Sequence, residues 1–270
     1  MQHKVLILDF GSQYTQLIAR RVRELFIYCE IHPYNNPPKD IETFQATILS
    51  GSPFSVRSQD APHPDLSLIR GKMPLLAVCY GAQYLAHFSG GEVSPSNTRE
   101  YGRANLSYVK KGSLFFENIS IGSQVWMSHS DAVKKLPKDF ESIASSDNCE
   151  SAVIENKKKK IYGVQFHPEV VHTFKGEVIL KNFVEIICKC KKKWNMKNFK
   201  EQIIKSIQQN VGDNNVLCGL SGGVDSTVTA VLVHEAIGDR LKCLYVDTGL
   251  MRMNETESIK KLFRKNFNIK

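Results

Sequence analysis

Three observations predict an α/β protein with two domains. Short apolar runs alternate with stretches of helical period, which is the pattern of parallel β-α-β units. Turns rich in glycine and serine directly follow several of the apolar runs. A lysine block at 189–193 separates the two regions in which this alternation occurs, so we place the domains at 1–190 and 191–270.

The first domain opens with alternating strands and helices. The predicted elements are strand Val5–Phe10, helix Tyr14–Phe26, strands Cys29–Tyr34 and Ala46–Leu49, helical fragment Leu66–Arg70, strand Leu75–Val78 and helix Ala82–Phe88. The helix at 14–26 has apolar residues at three- and four-residue intervals with arginines on its other face. Because the carboxyl ends of parallel strands share one edge of a sheet, we expect the turns after Leu8, Leu49 and Val78 to meet there.

Between residues 99 and 164 the pattern changes to short alternating runs, which predict antiparallel strands. The predicted elements of this second half are strands Ala104–Val109, Gln124–Met127, Ser151–Glu155 and Ile161–Phe166, and helix Gly176–Cys188. The last of these strands ends in His167-Pro168-Glu169.

Composition and charge exclude several classes of protein. No apolar run approaches the roughly 20 residues that span a bilayer, and Met1–His3 leads into a strand without a signal peptide, so we expect no membrane partner. The seven cysteines include no C-x-x-C pair, which argues against a zinc site or disulfides and for the cytoplasm. The charge of +9 includes short lysine blocks typical of a turn and a linker, so we expect no nucleic-acid partner.

Cys79 stands between a predicted strand and a predicted helix. A strand, a sharp turn with a nucleophile at its tip and a helix form the elbow of the G-x-S-x-G hydrolases. A helix N-terminus favours the thiolate, which is the nucleophilic form of cysteine. Buried cysteines are more often ordinary core residues, so the elbow alone leaves both interpretations open.

His167 and Glu169 match the base and the orienting acid of a Cys-His-acid triad. Pro168 stiffens the chain between them. The imidazole would take the thiol proton and later protonate the leaving amine, and the carboxylate would fix the tautomer. The chain has eight histidines, and His167 on its own would be interpreted as a structural residue.

Taken together, these segments resemble the class I glutamine amidotransferases. The similarity is carried by Cys79-Tyr80-Gly81-Ala82-Gln83, by Gln165-Phe166-His167-Pro168-Glu169 and by Ser50-Gly51-Ser52-Pro53. The resemblance implies a flavodoxin-like domain whose triad, Cys79, His167 and Glu169, hydrolyses glutamine through a γ-glutamyl thioester and releases ammonia. It also implies an oxyanion hole made by the backbone N–H groups of Gly51 and Tyr80.

The same resemblance implies that glutamine is held by Gln83, Ser128, His129 and Asp131. Three rival interpretations of this domain remain. One is a γ-glutamyl peptidase-like cysteine hydrolase, another is a catalytically inactive binding module, and the third is a basic nucleic-acid binder. An inactive module usually lacks its nucleophile, whereas Cys79 is present.

The second domain is predicted to be small. Its elements are helix Asn198–Val211, strand Asn215–Leu220, helix Thr227–Ile237, strand Leu241–Val246 and helix Glu255–Phe267. A doubly wound nucleotide domain needs about five strands to bury both faces of its sheet. We therefore expect an incomplete N-terminal portion of such a domain, with an apolar face left uncovered.

A glycine-rich loop follows the first strand of this domain and precedes a helix, which is the arrangement of an anion cradle. It is not a Walker A loop, because no lysine follows the glycines. The loop resembles the pyrophosphate loop of the ATP pyrophosphatases, which have a Rossmann-like adenine-nucleotide α-hydrolase fold. The resemblance implies ATP bound by Ser221, Gly222, Gly223, Val224, Asp225, Ser226, Thr227 and Asp247, with Mg²⁺ possible at Asp225.

A class I glutaminase followed by this loop resembles the glutamine-hydrolysing GMP synthetases. The resemblance implies a homodimeric ligase without a prosthetic group. It would adenylate XMP with MgATP and would use ammonia from glutamine to displace AMP, forming GMP. The alternative is a stand-alone glutaminase, or an amidotransferase subunit that acts with another synthase.

Overall fold

The structure is a computed structural model that describes residues 4–247 and 249–267, except the side chains of 97–99 and 266. Met1–His3, on which the prediction about a signal peptide rests, and Thr248 lie outside the described residues. The chain divides into two compact units, Met1–Trp194 and Asn195–Lys270. The first unit includes the lysine block because Cys190 and Trp194 are buried and the Trp194 N–H donates to the Phe26 carbonyl. A domain boundary at residue 190 stays a prediction.

The first unit contains a mixed sheet with helices on its faces. Its elements are β1 Lys4–Asp9, α1 Thr15–Glu24, β2 Tyr28–Pro33, β3 Ala46–Leu49, β4 Leu75–Val78, α2 Tyr80–Phe88, β5 Glu92–Val109, β6 Gln124–Lys135, β7 Glu141–Ser146, β8 Val153–Asn156, β9 Ile161–Val164 and α3 Gly176–Lys181. Helix α3 continues as a π-helix over Asn182–Ile187. Short 3₁₀ turns lie at Ile41–Thr43 and Leu114–Phe116.

The strands of this sheet lie in the order β2-β1-β3-β4-β9-β8-β7-β5-β6. The first five are parallel, and the remaining neighbours pair antiparallel. The parallel part has the 2-1-3-4-5 order of flavodoxin-like folds, with its switch point between β1 and β3. The predicted α/β class, the flavodoxin-like order and the antiparallel second half are confirmed.

The turns that follow β1, β3 and β4 meet at one edge of the sheet, as predicted. The Ser50 N–H donates to the Leu8 carbonyl at 3.1 Å. The Ser50 Oγ accepts from the Phe10 N–H at 2.9 Å. The Cys79 N–H donates to the Val164 carbonyl of β9 at 2.7 Å. These bonds tie the loops to the strand ends and fix the edge at which a ligand can bind.

Apolar residues cover both faces of the parallel strands. Val5 and Ile7 belong to the cluster formed with α1 and α3, whereas Leu6 and Leu8 belong to the cluster formed with α2. Alternate residues of one strand therefore supply two cores, which explains why β1 is a continuous apolar run. Burial on both faces also fixes the register of the strand, because a shift by one residue would exchange the two cores.

Several predicted elements differ from the structure. The helical fragment at 66–70 is wrong: the Leu66 carbonyl accepts from the N–H groups of Ile69 and Arg70, and a second turn follows across Gly71, which has φ +79°. The left-handed conformation of Gly71 interrupts the two turns, so they do not propagate into a helix. Helix α2 begins at Tyr80 rather than Ala82, and β7 and the first two thirds of β5 were not predicted. The helix predicted at 176–188 changes to π geometry, in which the Cys188 N–H donates to the Phe183 carbonyl.

The second unit contains α4 Met196–Val211, β10 Val216–Leu220, α5 Val224–Ile237, β11 Leu241–Tyr245 and α6 Glu255–Asn266. Strands β10 and β11 are parallel and pair from Val216↔Leu241 to Leu220↔Tyr245. One face of this pair packs on the apolar cluster of the unit. The other face carries Leu217, Leu244 and Val246, which are 71%, 53% and 62% exposed. This is the uncovered apolar face that the sequence predicts.

Within the part of the chain that the structure describes, no helix has both the length and the apolar character needed to cross a membrane.

Candidate active site

Cys79 lies at the tip of a sharp turn between β4 and α2. Its backbone has φ 52° and ψ −109°, a region that residues with a side chain rarely adopt. Gly81 allows the turn to pack tightly, because an added Cβ would lie 2.8 Å from the Ser50 carbonyl oxygen and 3.0 Å from Leu49 Cβ. The strained turn places the sulfur at the N-terminus of α2, where the helix dipole favours negative charge.

His167 and Glu169 form a buried pair. The Nδ1 of His167 lies 2.7 Å from Oε1 of Glu169, and both side chains are at most 5% exposed. The backbone of His167 is held as well, because its N–H donates to the Trp126 carbonyl and its carbonyl accepts from Thr173 Oγ1. The ring is thus fixed in position and in tautomer, since a carboxylate at Nδ1 requires a hydrogen there.

Electrostatics favour a charged imidazole at this position. Burial alone would lower the pKa of His167, but the charge of Cys79, the hydrogen bond to Cys79 and the Glu169 carboxylate raise that pKa to about 11. The charged imidazolium is therefore favoured at a position between the Cys79 sulfur and the Glu169 carboxylate. A thiolate is the form of cysteine that attacks carbonyl carbons.

A cavity of about 480 Å³ opens above the sulfur. Its wall is formed by Gly11, Ser12, Gln13, Tyr14, Ser52, Pro53, Phe54, Cys79, Tyr80, Gln83, Tyr101, Ser128, His129, Ser130, Asp131 and His167. Gly51 adjoins it: an added Cβ there would lie 3.5 Å from His167 Cε1 and 3.7 Å from Cys79 Cβ. The segments that carry the resemblance are therefore brought together around one cavity.

Gln83 and Ser128 contact their neighbours through polar atoms in the cavity wall. The Nε2 of Gln83 donates to the Asp131 carbonyl at 2.7 Å and to Oε1 of Gln165 at 3.2 Å. In its thiol form, Cys79 can donate its S–H to the Ser128 carbonyl, whose oxygen lies 3.5 Å from the sulfur. Both predicted glutamine-binding residues thus lie beside the nucleophile candidate.

His129 and Asp131 also line the cavity, but their side chains bond to protein groups. Asp131 accepts from Ser55 Oγ and from Arg57 Nη2. His129 lies between the Asp131 carbonyl and Glu100, at 3.0 and 3.1 Å. Burial lowers the pKa of His129, although Glu100 opposes this effect. The structure brings these two residues to the site mainly as supports of its wall.

Sequence reasoning missed several contacts around the triad candidates. The Tyr14 ring packs edge-on against the His167 ring, with centroids 5.1 Å apart. Arg21 Nε donates to the Glu169 carbonyl at 3.1 Å. Gln165 Nε2 lies 3.9 Å from the Cys79 sulfur. A signal was available for Gln165, which is buried two residues before His167 in the segment that carries the resemblance, but not for the long-range contacts of Tyr14 and Arg21.

One group of side chains in the described residues has the donor types of a metal site. Ligand atoms of Glu100, His129 and Cys149 all lie within 4.8 Å of one another and are buried. The hydrogen bond between Glu100 and His129 already joins two of the three. Burial also raises the pKa of the Cys149 thiol to about 12, so the sulfur is a neutral thiol and a weak ligand.

The loop of the second unit has the form of an anion cradle. Gly222 has φ +81°, which favours glycine, and an added Cβ there would collide with Ile259 of α6. Ser221 and Ser226 bond to each other, and Thr227 Oγ1 donates to the Gly223 carbonyl at 2.8 Å. The loop leads into the N-terminus of α5, where Val224 is the first helical residue.

Asp225 and Asp247 lie in the same unit, each after the end of one of its two strands. Asp225 is exposed in the first turn of α5, and the Mg²⁺ at that position stays a prediction. Asp247 accepts from the Gly249 N–H at 2.9 Å and from Thr256 Oγ1 at 2.8 Å. These bonds lower the pKa of the Asp247 carboxyl, which is therefore charged at neutral pH.

A sequence model of the family "Glutamine amidotransferase class-I" matches residues 6–187. The chain belongs to this family. The model called "NAD synthase" matches residues 196–270. The two matches agree with the two α/β units and with their order along the chain.

Two curated relatives of this amidotransferase share one name. The GMP synthase [glutamine-hydrolyzing] of Flavobacterium psychrophilum is 57% identical over 259 residues, which are 96% of this chain and 51% of that protein. The protein of the same name from Brachyspira hyodysenteriae is 51% identical over 268 residues, 98% of this chain and 52% of that protein. The chain thus spans about half the length of the curated relatives it matches.

Solved structures share the fold of the first unit. A Thermoplasma acidophilum protein, provisionally described as one of the subunits of a GMP synthase, has a TM-score of 0.59 and 29% identity and covers 70% of this chain and 95% of its own. A glutamine amidotransferase of Thermotoga maritima has a TM-score of 0.53 and 19% identity and covers 76% of this chain and 94% of its own. The second likeness supports the fold alone.

Proposed function

We propose that the first unit hydrolyses glutamine to glutamate and ammonia, with Cys79 as nucleophile, His167 as acid and base and Glu169 as the residue that orients His167. The observation that carries this proposal is the strained turn that holds the Cys79 sulfur in a cavity beside the buried His167–Glu169 pair. A left-handed conformation at a residue with a side chain is costly, and such strain concentrates at functional sites.

The reaction follows from these positions. The Cys79 thiolate attacks the amide carbon of glutamine, and the tetrahedral oxyanion is stabilised by the N–H groups of Gly51 and Tyr80. The His167 imidazolium gives its proton to the departing nitrogen, so ammonia leaves and a γ-glutamyl thioester remains. The imidazole then takes a proton from water, which attacks the thioester and releases glutamate and the thiolate.

The wall of the cavity would hold the substrate. Gln83 and Ser128 bind the glutamine directly, whereas His129 and Asp131 act through the backbone and the side chains that they fix. In this division of roles, Glu169 never becomes the base, because its hydrogen bond at His167 Nδ1 keeps the other ring nitrogen available for the sulfur and the substrate.

For the whole protein we propose synthesis of GMP from XMP, ATP and glutamine. The support is the 57% identity to a glutamine-hydrolyzing GMP synthase and the glycine-rich loop at 221–227. That loop would bind the phosphates of ATP, with Asp225 holding Mg²⁺ and Asp247 lying near the adenosine. XMP would then be adenylated and aminated by the ammonia. We also propose a homodimer that acts in the cytoplasm.

The alternative, a γ-glutamyl cysteine hydrolase, differs in its substrate. Purified chain should release glutamate and ammonia from glutamine, and it should leave γ-glutamyl dipeptides intact. Release of the second amino acid from such dipeptides at the rate of glutamine hydrolysis would contradict the proposal. A coupled glutamate dehydrogenase assay measures glutamate release from glutamine. Amino-acid chromatography of the same sample measures release of the second amino acid from the dipeptides.

A further inference from the structure

Gln165 is a buried residue of the site without a role in the chemistry above. Its side chain lies behind the sulfur of Cys79, and the residue is 2% exposed. The Nε2 lies 3.9 Å from that sulfur, and Oε1 accepts from Gln83 Nε2 at 3.2 Å. The Gln165 N–H donates to the Ala152 carbonyl, so the backbone of Gln165 is also fixed.

The direction of the Gln165 amide follows from a chain of hydrogen bonds. The Asp131 carbonyl can only accept, and it receives Nδ1–H of His129 at 3.0 Å and Nε2–H of Gln83 at 2.7 Å. The amide nitrogen of Gln83 therefore faces Asp131 and Gln165. Because Gln165 accepts from Gln83 with its oxygen, its own nitrogen must point the other way, toward the Cys79 sulfur.

The hydrogen-bond chain ends at Glu100 and His129. His129 donates toward Asp131 in either charge state of this pair. His129 Nδ1 carries a hydrogen because it faces a carbonyl, and His129 Nε2 lies 3.1 Å from Glu100 Oε2. A proton held between Glu100 and His129 can lie on either group. Imidazolium with carboxylate and neutral imidazole with carboxylic acid both leave Nδ1–H directed at Asp131. Glu100 is held in turn by Ser146 Oγ at 3.4 Å.

We propose that Gln165 is a positioning residue that holds the Cys79 sulfur as a thiolate facing His167, and that the Glu100–His129 pair fixes the direction of the Gln165 amide. An N–H donor stabilises a thiolate and loses its partner when the sulfur becomes a thiol or rotates away. This inference rests on the proposed role of Cys79, and its test does not need glutamine.

The test measures alkylation of Cys79 by iodoacetamide at pH 7, without glutamine, in the full chain. Peptide mass spectrometry reports each cysteine separately, so Cys218 and Cys243, which are partly exposed in the second unit, serve as internal references. The variants are Gln165→Glu, which puts a carboxylate beside the sulfur, and Gln165→Met, which removes the donor. Matched controls are Gln45→Glu and Gln45→Met, since Gln45 donates to the Cys188 carbonyl.

We expect Gln165→Glu to slow Cys79 alkylation at least tenfold and Gln165→Met about fivefold, the value of a hydrogen bond of about 1 kcal/mol. The Gln45 variants should alkylate Cys79 within twofold of the parent. Parent-like alkylation in Gln165→Glu with an unchanged melting temperature would overturn the proposal. If both variants fail to fold, Gln165→Asn, which is one methylene too short to reach the sulfur, decides in the same assay.

Variants of Glu100, at the other end of the hydrogen-bond chain, provide an independent test. Glu100→Gln can donate to neutral His129 and should leave Cys79 alkylation within twofold, whereas Glu100→Leu should slow it at least threefold. If Cys79 is alkylated at the same rate in Glu100→Leu and in the parent, the Glu100–His129 pair does not influence the sulfur through Gln165, and this part of the proposal is wrong. A parent chain that lacks glutaminase activity but follows this alkylation pattern would contradict the proposed function and leave the positioning role intact.

Discussion

Among the described residues that line the cavity, Cys79 is the one that carries a thiol. Cys79→Ala should therefore abolish glutamine hydrolysis, with a loss on the order of 10⁶-fold in kcat, as for other triad nucleophiles. Glutamate release measures the loss, and circular dichroism checks that the fold is intact. Glutaminase activity of the variant at the parent's level would mean that another group is the nucleophile.

The hydrogen bond between Glu169 and His167 predicts a smaller effect for the acid. Glu169→Gln keeps the size of the side chain but removes the charge that favours the imidazolium. We expect kcat to fall by less than in Cys79→Ala, since the orienting residue is usually the least costly member of a triad to lose. Equal losses in the two variants would contradict this division of roles.

At the scale of residues, motifs located the triad candidates but not their supports. Cys79, His167 and Glu169 were predicted because each stands at the end of a recognisable strand. Gln165 lies in the segment that carries the resemblance, but its contacts and those of Glu100 could not be predicted, because they depend on how β5, β6 and β9 come together in space. Hydrogen bonds between residues distant in sequence leave no spacing to detect.

Among the elements, α3 begins in close contact with the segment that carries His167 and Glu169. A Cβ added to Gly176 at its start would collide with the Pro168 carbonyl oxygen, which is backbone and cannot rotate away. Gly176→Ala should thus push α3 from the His-Pro-Glu segment. We expect a loss of about 2 kcal/mol in unfolding free energy and lower glutaminase activity. Urea denaturation and glutamate release measure the two effects.

Gly219 in β10 provides the matched control, because an added Cβ meets nothing within 4 Å and its φ lies outside the left-handed region. Gly219→Ala should leave both the unfolding free energy of the first unit and the glutaminase activity near the parent's. If Gly176→Ala behaves like this control, the close approach of α3 to Pro168 is not a constraint on the site.

Parallel strands were easier to predict than their connections. β3 and β4 were predicted to the residue, since each is a short apolar run buried on both faces. Only the last third of the long β5 was predicted, because its pairing with β6 shifts register between Pro95 and Glu100 and breaks the alternation. In the π-helix after α3, Asn182 donates hydrogen bonds to the carbonyls of Phe115 and Glu117. These residues are distant in sequence, so no local pattern predicts the contacts.

For the whole molecule, buried thiols predict a loss of stability in alkali. Burial raises the pKa of Cys29 to about 11 and those of Cys149 and Cys190 to about 12, from 9.0 in the unfolded chain. Above pH 9 the folded state holds more protons than the unfolded state, so the unfolding free energy falls as pH rises toward 11. Urea denaturation under reducing conditions at pH 8, 9 and 10 measures the slope.

The thiols of the first unit can be tested one at a time. Cys149→Ala should be less stable than the parent at pH 8, because it leaves a cavity, but its stability should decline less between pH 8 and 10. A decline as steep as the parent's would assign the alkaline effect to other groups. His167 acts in the same direction, because its raised pKa adds stability that is lost as pH approaches about 11.

The exposed face of β10 and β11 sets an expectation for the complete reaction. The sheet of the second unit is covered on one side alone, since Leu217, Leu244 and Val246 are exposed. The chain also spans about half the length of its curated relatives. We expect the 270-residue chain to release glutamate from glutamine but to form no AMP from ATP and XMP. Chromatography of nucleotides detects the product, and XMP-dependent AMP formation would show that two strands and the loop suffice.

The turn at Cys79 also bears on how the chain can change. Glycine would accept φ 52° without strain, so the residue that would ease the backbone is one that carries no sulfur. Selection for a more stable protein and selection for glutamine hydrolysis therefore oppose each other at this position. A lineage that no longer needed the reaction would gain stability by replacing Cys79 with glycine. It would keep the fold and lose the activity.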